Sequence, residues 1–205
     1  MDSYITIKDR GYAEYEDRKS VFIGEALPVS TETEALEFIE SVKRHYSDAR
    51  HHVYAYVLRE NSVMRFTDDH EPQGTAGMPI LDLIRKRGCT DIVIVVTRYF
   101  GGTLLGTGGL VRAYTAAAQG AIDSATVITY DIYAQINISL NYSDYQKLLP
   151  ILEEFGFRTS DTRYNELVVI NGTIRAAHKD KLLEKITEMT SARAKFEILC
   201  EKFDF

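Results

Sequence analysis

Ile132-Tyr133-Ala134-Gln135-Ile136-Asn137-Ile138-Ser139-Leu140 decides the fold of the C-terminal part of this chain. Apolar residues alternate with polar ones, the period of a strand with one face buried. Ser143 and Gln146 follow at capping-box spacing. Tyr145, Leu148, Leu149, Leu152 and Phe155 then recur at helical spacing, and Gly156 stops the helix. A polar strand over 157–164 turns at Asn165-Glu166 into a second strand over 167–174. Leu182, Leu183, Ile186 and Met189 form one helical stripe, and Ala194, Phe196, Ile198 and Cys200 alternate again, with Cys89 and Cys200 both read as small buried hydrophobes. The order β-α-β-β-α-β is ferredoxin-like.

The first 130 residues are less regular but belong to the same α+β class. An early strand pair is expected over 4–7 and 20–26. Thr31 and Glu34 make a capping box before Ala35, Phe38, Ile39, Val42 and Tyr46, an amphipathic helix. Residues 53–58 and 63–66 read as hairpin partners, and Pro79 to Gly88 as a helix. Ile92-Val93-Ile94-Val95-Val96 is a β-branched run covered on both faces. The next helix carries Leu110, Val111, Tyr114, Ala117, Ala118, Ala121 and Ile122. Two domains follow from this reading, residues 1–130 and 131–205.

Composition narrows the function. The 205 residues carry a net charge of −6, split −4 and −2 between the two parts. Bulk charge therefore argues against a protein that coats DNA. No apolar run approaches the length of a membrane span, and Met1-Asp2-Ser3-Tyr4 lacks a secretory pattern. With two distant cysteines, a reducing cytoplasm is the expected compartment.

Two loops carry the chemistry. Thr97-Arg98-Tyr99-Phe100-Gly101-Gly102-Thr103-Leu104-Leu105-Gly106-Thr107-Gly108-Gly109-Leu110-Val111-Arg112 places five of the chain's 13 glycines between a buried strand and a helix. Backbone amides at such a helix start face an anion, and Arg98 and Arg112 would supply two guanidinium forks. The loop is neither a Walker A nor a complete dinucleotide fingerprint; a crowded turn relieved by glycine is the bland reading. The other loop, Phe66-Thr67-Asp68-Asp69-His70-Glu71-Pro72-Gln73-Gly74-Thr75-Ala76-Gly77, holds three carboxylates within four positions. Asp68, Asp69 and Glu71 have the chemistry to hold a divalent cation or to move protons. Helix capping, or ion pairing with Arg98 or Arg112, is favoured over metal. His51 and His52 are adjacent and point to opposite faces of a strand, poor spacing for joint ligation.

At these loops the sequence resembles the YigZ/IMPACT family. The residues are 95–114 around the glycines, Arg65 to Gly77, Ala49-Arg50-His51 with Tyr54-Ala55-Tyr56, and Lys19-Ser20-Val21-Phe22-Ile23. His70, Gln73 and Arg50 depart from its usual pattern. The resemblance implies an N-terminal domain similar to the second domain of ribosomal protein S5 and to domain IV of translation elongation factor G. It implies a C-terminal domain similar to that factor's last domain. Eukaryotic relatives restrain a starvation-responsive initiation-factor kinase through its ribosome-associated activator.

The expectation is a translation-associated regulatory protein that binds RNA, the ribosome or a translation-regulatory protein. Its surface would comprise Arg98, Tyr99, Phe100, Gly101, Gly102, Gly106, Thr107, Gly108, Gly109 and Arg112, with Asp68, Asp69, Glu71, Gly74 and Thr75. Lys19, His51 and Tyr54 are possible contributors; no cofactor, metal or membrane partner is assigned. The alternative is an enzyme acting on a phosphorylated small molecule or nucleotide, with metal or proton chemistry at the carboxylates. A third reading is partner binding along the open edge of the polar strand at 157–164.

Overall fold

The structure is a computed structural model that describes residues 3–205. Met1 and Asp2, which open the stretch read for a secretory leader, lie outside them. Elements run in the order β1 (Ser3–Ile7), β2 (Gly11–Asp17), β3 (Ser20–Pro28), α1 (Glu32–His45), β4 (His51–Leu58), β5 (Val63–Thr67), α2 (Gly77–Lys86), β6 (Ile92–Tyr99) and α3 (Gly106–Ser124). Then come β7 (Val127–Leu140), α4 (Tyr142–Glu154), β8 (Arg158–Tyr164), β9 (Val168–Arg175), α5 (Ala176–Thr190) and β10 (Lys195–Asp204). The chain separates into a unit of Tyr4–Thr129 and a unit formed by Ser3 with Tyr130–Phe205. None of the helices among the described residues is long and apolar enough to cross a membrane.

In the N-terminal unit the sheet order is β2-β3-β6-β4-β5, with every neighbouring pair antiparallel. Strand β6 lies at its centre, and Ile92–Val96 are fully buried because both faces are covered. Helix α1 packs Ala35, Phe38, Ile39 and Val42 against Val93, Val95 and Tyr56 on one face. Helices α2 and α3 pack against Phe22, Val53, Ala55, Ile94 and Val96 on the other. The capping box at α1 forms as read: Thr31 Oγ1 accepts the Glu34 amide, and Glu34 accepts the Thr31 amide.

The early strand pair is corrected. The partner of β3 is β2, not residues 4–7, in the register Gly11↔Ala26 to Asp17↔Ser20. Helix α3 lies so close to this hairpin that a Cβ on Gly24 would stand 2.3 Å from the Ala117 carbonyl oxygen. Only glycine allows that approach. Helix α2 begins at Gly77, ahead of the Pro79 start expected from the sequence.

The C-terminal unit places β10, β7, β9 and β8 side by side, all antiparallel. Its core joins Ala134, Ile136, Ile138 and Leu140 of β7 to Leu148 and Leu152 of α4 and to Leu182 and Ile186 of α5. The polar strand read at 157–164 is β8, which pairs with β9. Two details differ from expectation. Helix α4 begins at Tyr142 with Asn141 as its N-cap, so Ser143 sits inside the first turn and makes no cap. Cys200 is exposed, not buried. A register shift between Ile198 and Cys200 against β7 inserts an extra residue and turns the cysteine off the apolar face.

Candidate functional site

The site forms where three sheet residues meet two loops. Pairing of β6 with β3 and β4 sets Phe22, Arg98 and His51 in one row on the face that carries α3. Arg98 lies between aromatic rings, 5.3 Å from the centroid of Phe22 and 5.6 Å from that of Phe100. The loop after β5 brings Glu71 to it. Arg98 Nη1 donates to Glu71 Oε1 at 2.6 Å, and the Tyr114 hydroxyl of α3 donates to the same oxygen at 2.7 Å. The side chains of Arg98 and Glu71 are only 7% and 4% exposed. The ring of Tyr114 meets Phe22 edge to face at 5.0 Å. This buried triad ties the acidic loop, β6 and α3 together.

Burial pushes the Tyr114 hydroxyl far above its ordinary value, with further upward pressure from the charge and hydrogen bond of Glu71. An unfolded tyrosine ionises near pH 10, so the stability held by neutral Tyr114 is intact below that pH. It falls as pH rises further, by about 1.4 kcal/mol per unit for this one group. Unfolding free energies at pH 9 and pH 11 are expected to converge in Tyr114→Phe relative to the native chain. An unchanged difference would place the hydroxyl in water.

The remaining carboxylates of the loop are also engaged. Asp68 Oδ1 accepts the amides of Ala76 (3.1 Å) and Gly77 (2.8 Å), and its Oδ2 accepts that of Gly74 (2.8 Å). The N-cap of α2 is Ala76, which has no side-chain acceptor, so Asp68 caps the helix from eight positions upstream. Asp68→Ala should cost about 2 kcal/mol and speed hydrogen exchange at the first amides of α2; unaltered exchange there would count against the cap. Asp69 Oδ2 accepts the His52 amide at 2.6 Å, while the Asp69 carbonyl receives His51 Nδ1 at 2.8 Å. Because a carbonyl only accepts, Nδ1 carries the proton. Thr75 Oγ1 donates to the Pro72 carbonyl at 2.6 Å. Among the described residues, no three His, Cys, Asp or Glu side chains gather as a metal would require.

A cleft of about 390 Å³ opens above the triad, lined by Arg50, His51, His70, Pro72, Arg98, Phe100 and the start of α3. Helix α3 begins without a side-chain cap and with no acidic residue in its first turn. Gly106, Thr107 and Gly108 are exposed there, whereas Gly109 is buried against Leu105. Arg112 is exposed and lies back over this turn, its guanidinium 3.7 Å from where a Cβ on Gly108 would stand. Tyr99 donates its hydroxyl to Asp48 at 2.7 Å, which pushes the phenol up to about 12. Phe100 is 51% exposed and Leu104 81% exposed on the cleft's lip. Gly101 donates its amide to Ser20 Oγ at 3.1 Å, beside an exposed Gly102.

The residues singled out from the sequence therefore have different fates. The glycine-rich loop and the acidic loop do meet, through Arg98 and Glu71. Arg98 is an internal counter-ion and not a surface fork, since burial pairs it before any ligand arrives. Tyr54 faces α1, stacked on Tyr56 at 6.2 Å between centroids, on the opposite side of the sheet from the cleft. Lys19 stands on the β2–β3 turn at positive φ. Sequence reasoning missed Tyr114 as the second donor to Glu71, because a tyrosine on an apolar helical stripe reads as packing. It also gave no cleft role to Arg50, His70 or Leu104.

Residues 18–122, which contain every cleft residue, match the Impact N-terminal domain, and residues 138–193 match a domain of unknown function (DUF1949). The chain is 36% identical to the IMPACT family member YvyE of Bacillus subtilis, over 95% of this chain and 90% of that protein. It is 32% identical to the IMPACT family member YigZ of Escherichia coli, over 85% and 87%. The Protein IMPACT of Xenopus laevis is 30% identical over 94 residues, 44% of this chain and 30% of that protein. A crystal structure described as that of a hypothetical protein superposes with a TM-score of 0.62 at 28% identity, covering 98% of this chain and all of that one. The chain belongs to the IMPACT family.

Proposed function

We propose that the protein is a translation-associated regulator that binds RNA, in or near the ribosome, through the cleft and loops of its N-terminal unit. One observation carries the reading: Glu71, the loop carboxylate that lines the cleft, is balanced by Arg98, whereas Asp68 and Asp69 turn to backbone amides outside the cleft lining. Asp68 is taken by three amides, Asp69 by the His52 amide, and Glu71 by Arg98 and Tyr114. What remains at the cleft mouth is Arg50, His51 and His70, with Arg112 over the adjoining helix turn. A chain of net charge −6 thus carries a local surface that suits phosphate. Exposed Phe100 adds a flat face for a base. Family membership supports the link to translation.

Asp68 and Asp69 do not line the cleft, and among the described residues no three potential ligands gather, so the enzymatic alternative draws no support from the geometry. The test is filter binding of ribosomal RNA at low salt. Arg50→Ala combined with Arg112→Ala should weaken binding roughly tenfold and flatten its salt dependence. Both positions are exposed, so the fold should be unaffected. Equal retention of RNA by the two proteins would refute the surface.

A further inference from the structure

The hairpin joining β2 to β3 turns on two residues, Arg18 and Lys19, both at positive φ (47° and 64°). Asp17 pairs with Ser20 across it, so the connection is a two-residue turn. Such turns favour Asn and Gly, because Gly has no Cβ to strain the left-handed region and Asn offsets that strain by local hydrogen bonding. A pair of cations is a poor choice for folding alone. Its surroundings supply another reason. The turn is seated on the glycine-rich loop: a Cβ on Gly101 would stand 2.0 Å from the Lys19 carbonyl carbon, and Arg18 Nη1 donates to the Leu104 carbonyl at 3.3 Å. The same short loop therefore carries the exposed Phe100 and Leu104 of the cleft and is in contact with a turn of two exposed cations.

The cleft itself is not shaped for phosphate alone. Pro72, Phe100, Leu104, Leu105 and Leu110 give it a mainly apolar wall, and its volume of about 390 Å³ is at the lower end of small-ligand pockets. An apolar concavity with cations at its rim complements a flat base attached to a charged backbone. We infer that the cleft takes one unpaired base of a single-stranded RNA, stacked on Phe100, and that the Arg18-Lys19 turn grips a phosphate of the adjoining backbone. The inference rests on the RNA reading above and adds the form of RNA recognised. A duplex keeps its bases stacked inside and would meet only the cations.

The experiment uses the full chain and fluorescence anisotropy, with a labelled unstructured 12-nucleotide RNA and the same strand annealed to its complement. The single strand is expected to bind at least tenfold more tightly. Phe100→Ala should remove that preference, lowering single-strand affinity about tenfold and leaving the duplex unchanged. Arg18→Asn combined with Lys19→Gly should weaken both RNAs and reduce the single-strand salt slope by about 0.7, the value for one lost phosphate contact. That double variant also suits the turn better, so its thermal midpoint should rise while its affinity falls. A fall in affinity with a rise in stability cannot come from misfolding. Equal binding of single strand and duplex would overturn the inference and leave the RNA reading standing. Unchanged affinity in the turn variant would overturn the phosphate grip. Binding of neither RNA at low salt would remove the RNA reading and the inference with it.

Discussion

Glu71→Ala is expected to cost the N-terminal unit about 3–5 kcal/mol, the usual penalty for breaking a buried ion pair from one side. The alanine strands the Arg98 guanidinium among Phe22 and Phe100 and leaves the Tyr114 hydroxyl without its acceptor. The loss comes less from the missing attraction than from a desolvated cation with no counter-charge. Arg98 already carries one burden of this kind, because its Nε is buried without a partner. Glu71→Leu combined with Arg98→Met should recover most of the loss, since it removes both charges and keeps apolar volume. Tyr114→Phe should cost only about 1–2 kcal/mol, the price of one unmade bond to a carboxylate that retains Arg98. Denaturant unfolding, with amide exchange of β6 reporting this unit, measures all three. A loss below about 1 kcal/mol for Glu71→Ala would mean that the pair is solvated.

Gly101→Ala is expected to be the next most damaging change, on the order of 3 kcal/mol. The new Cβ would lie 2.0 Å from the Lys19 carbonyl carbon and 2.3 Å from the Ser20 amide nitrogen. Both obstacles are backbone, so no rotamer change relieves the clash. Either β6 or the β2–β3 hairpin must shift, and the Ser20 hydroxyl then loses the Gly101 amide. By contrast, Gly102→Ala meets nothing within 4 Å and suffers only from its φ of +85°. It should cost about 1 kcal/mol. A pair of thermal melts distinguishes the two; similar midpoints would show that the loop is not pressed against the turn.

Legibility in the sequence followed the size of the side chains that do the packing. Alternation in 132–140 and the stripes of α4 and α5 register because Ile and Leu face the core. Strand β2 left no such signal. Its inward residues include Gly11 and Ala13, chosen for smallness: a Cβ on Gly11 would meet the Ala121 carbonyl oxygen at 1.8 Å, and one on Gly120 would meet Ala13 at 2.7 Å. Hydrophobic periodicity cannot register an interface built by subtraction. Cys200 was misread because a bulge reverses the faces partway along β10, and nothing in an alternating pattern announces one extra residue.

The site divided along similar lines. Its loops stood out, since glycines and carboxylates are dense there. The ion pair to Arg98 and the helix cap are both among the readings of the acidic loop, but which carboxylate does which is not, because the partner of Arg98 lies 27 positions away and a phosphate fork looks identical in one dimension. The polar side chains that do face solvent at the cleft, Arg50 and His70, lie outside the glycine-rich stretch. Lys19 is named as a possible contributor, but the hairpin turn it makes with Arg18 is not legible, because it lacks the Asn-Gly chemistry by which such turns are recognised.

Amide chemical-shift mapping of the full chain on titration with a short single-stranded RNA tests the central claim most directly. Shifts are expected at Arg18 and Lys19, at Arg50, at His70 and from Phe100 to Gly108, all around one cleft. The α1 face of the sheet, with Tyr54 and Tyr56, should stay still. Shifts confined to the C-terminal unit, or absent throughout at low salt, would contradict an RNA-binding role for this surface.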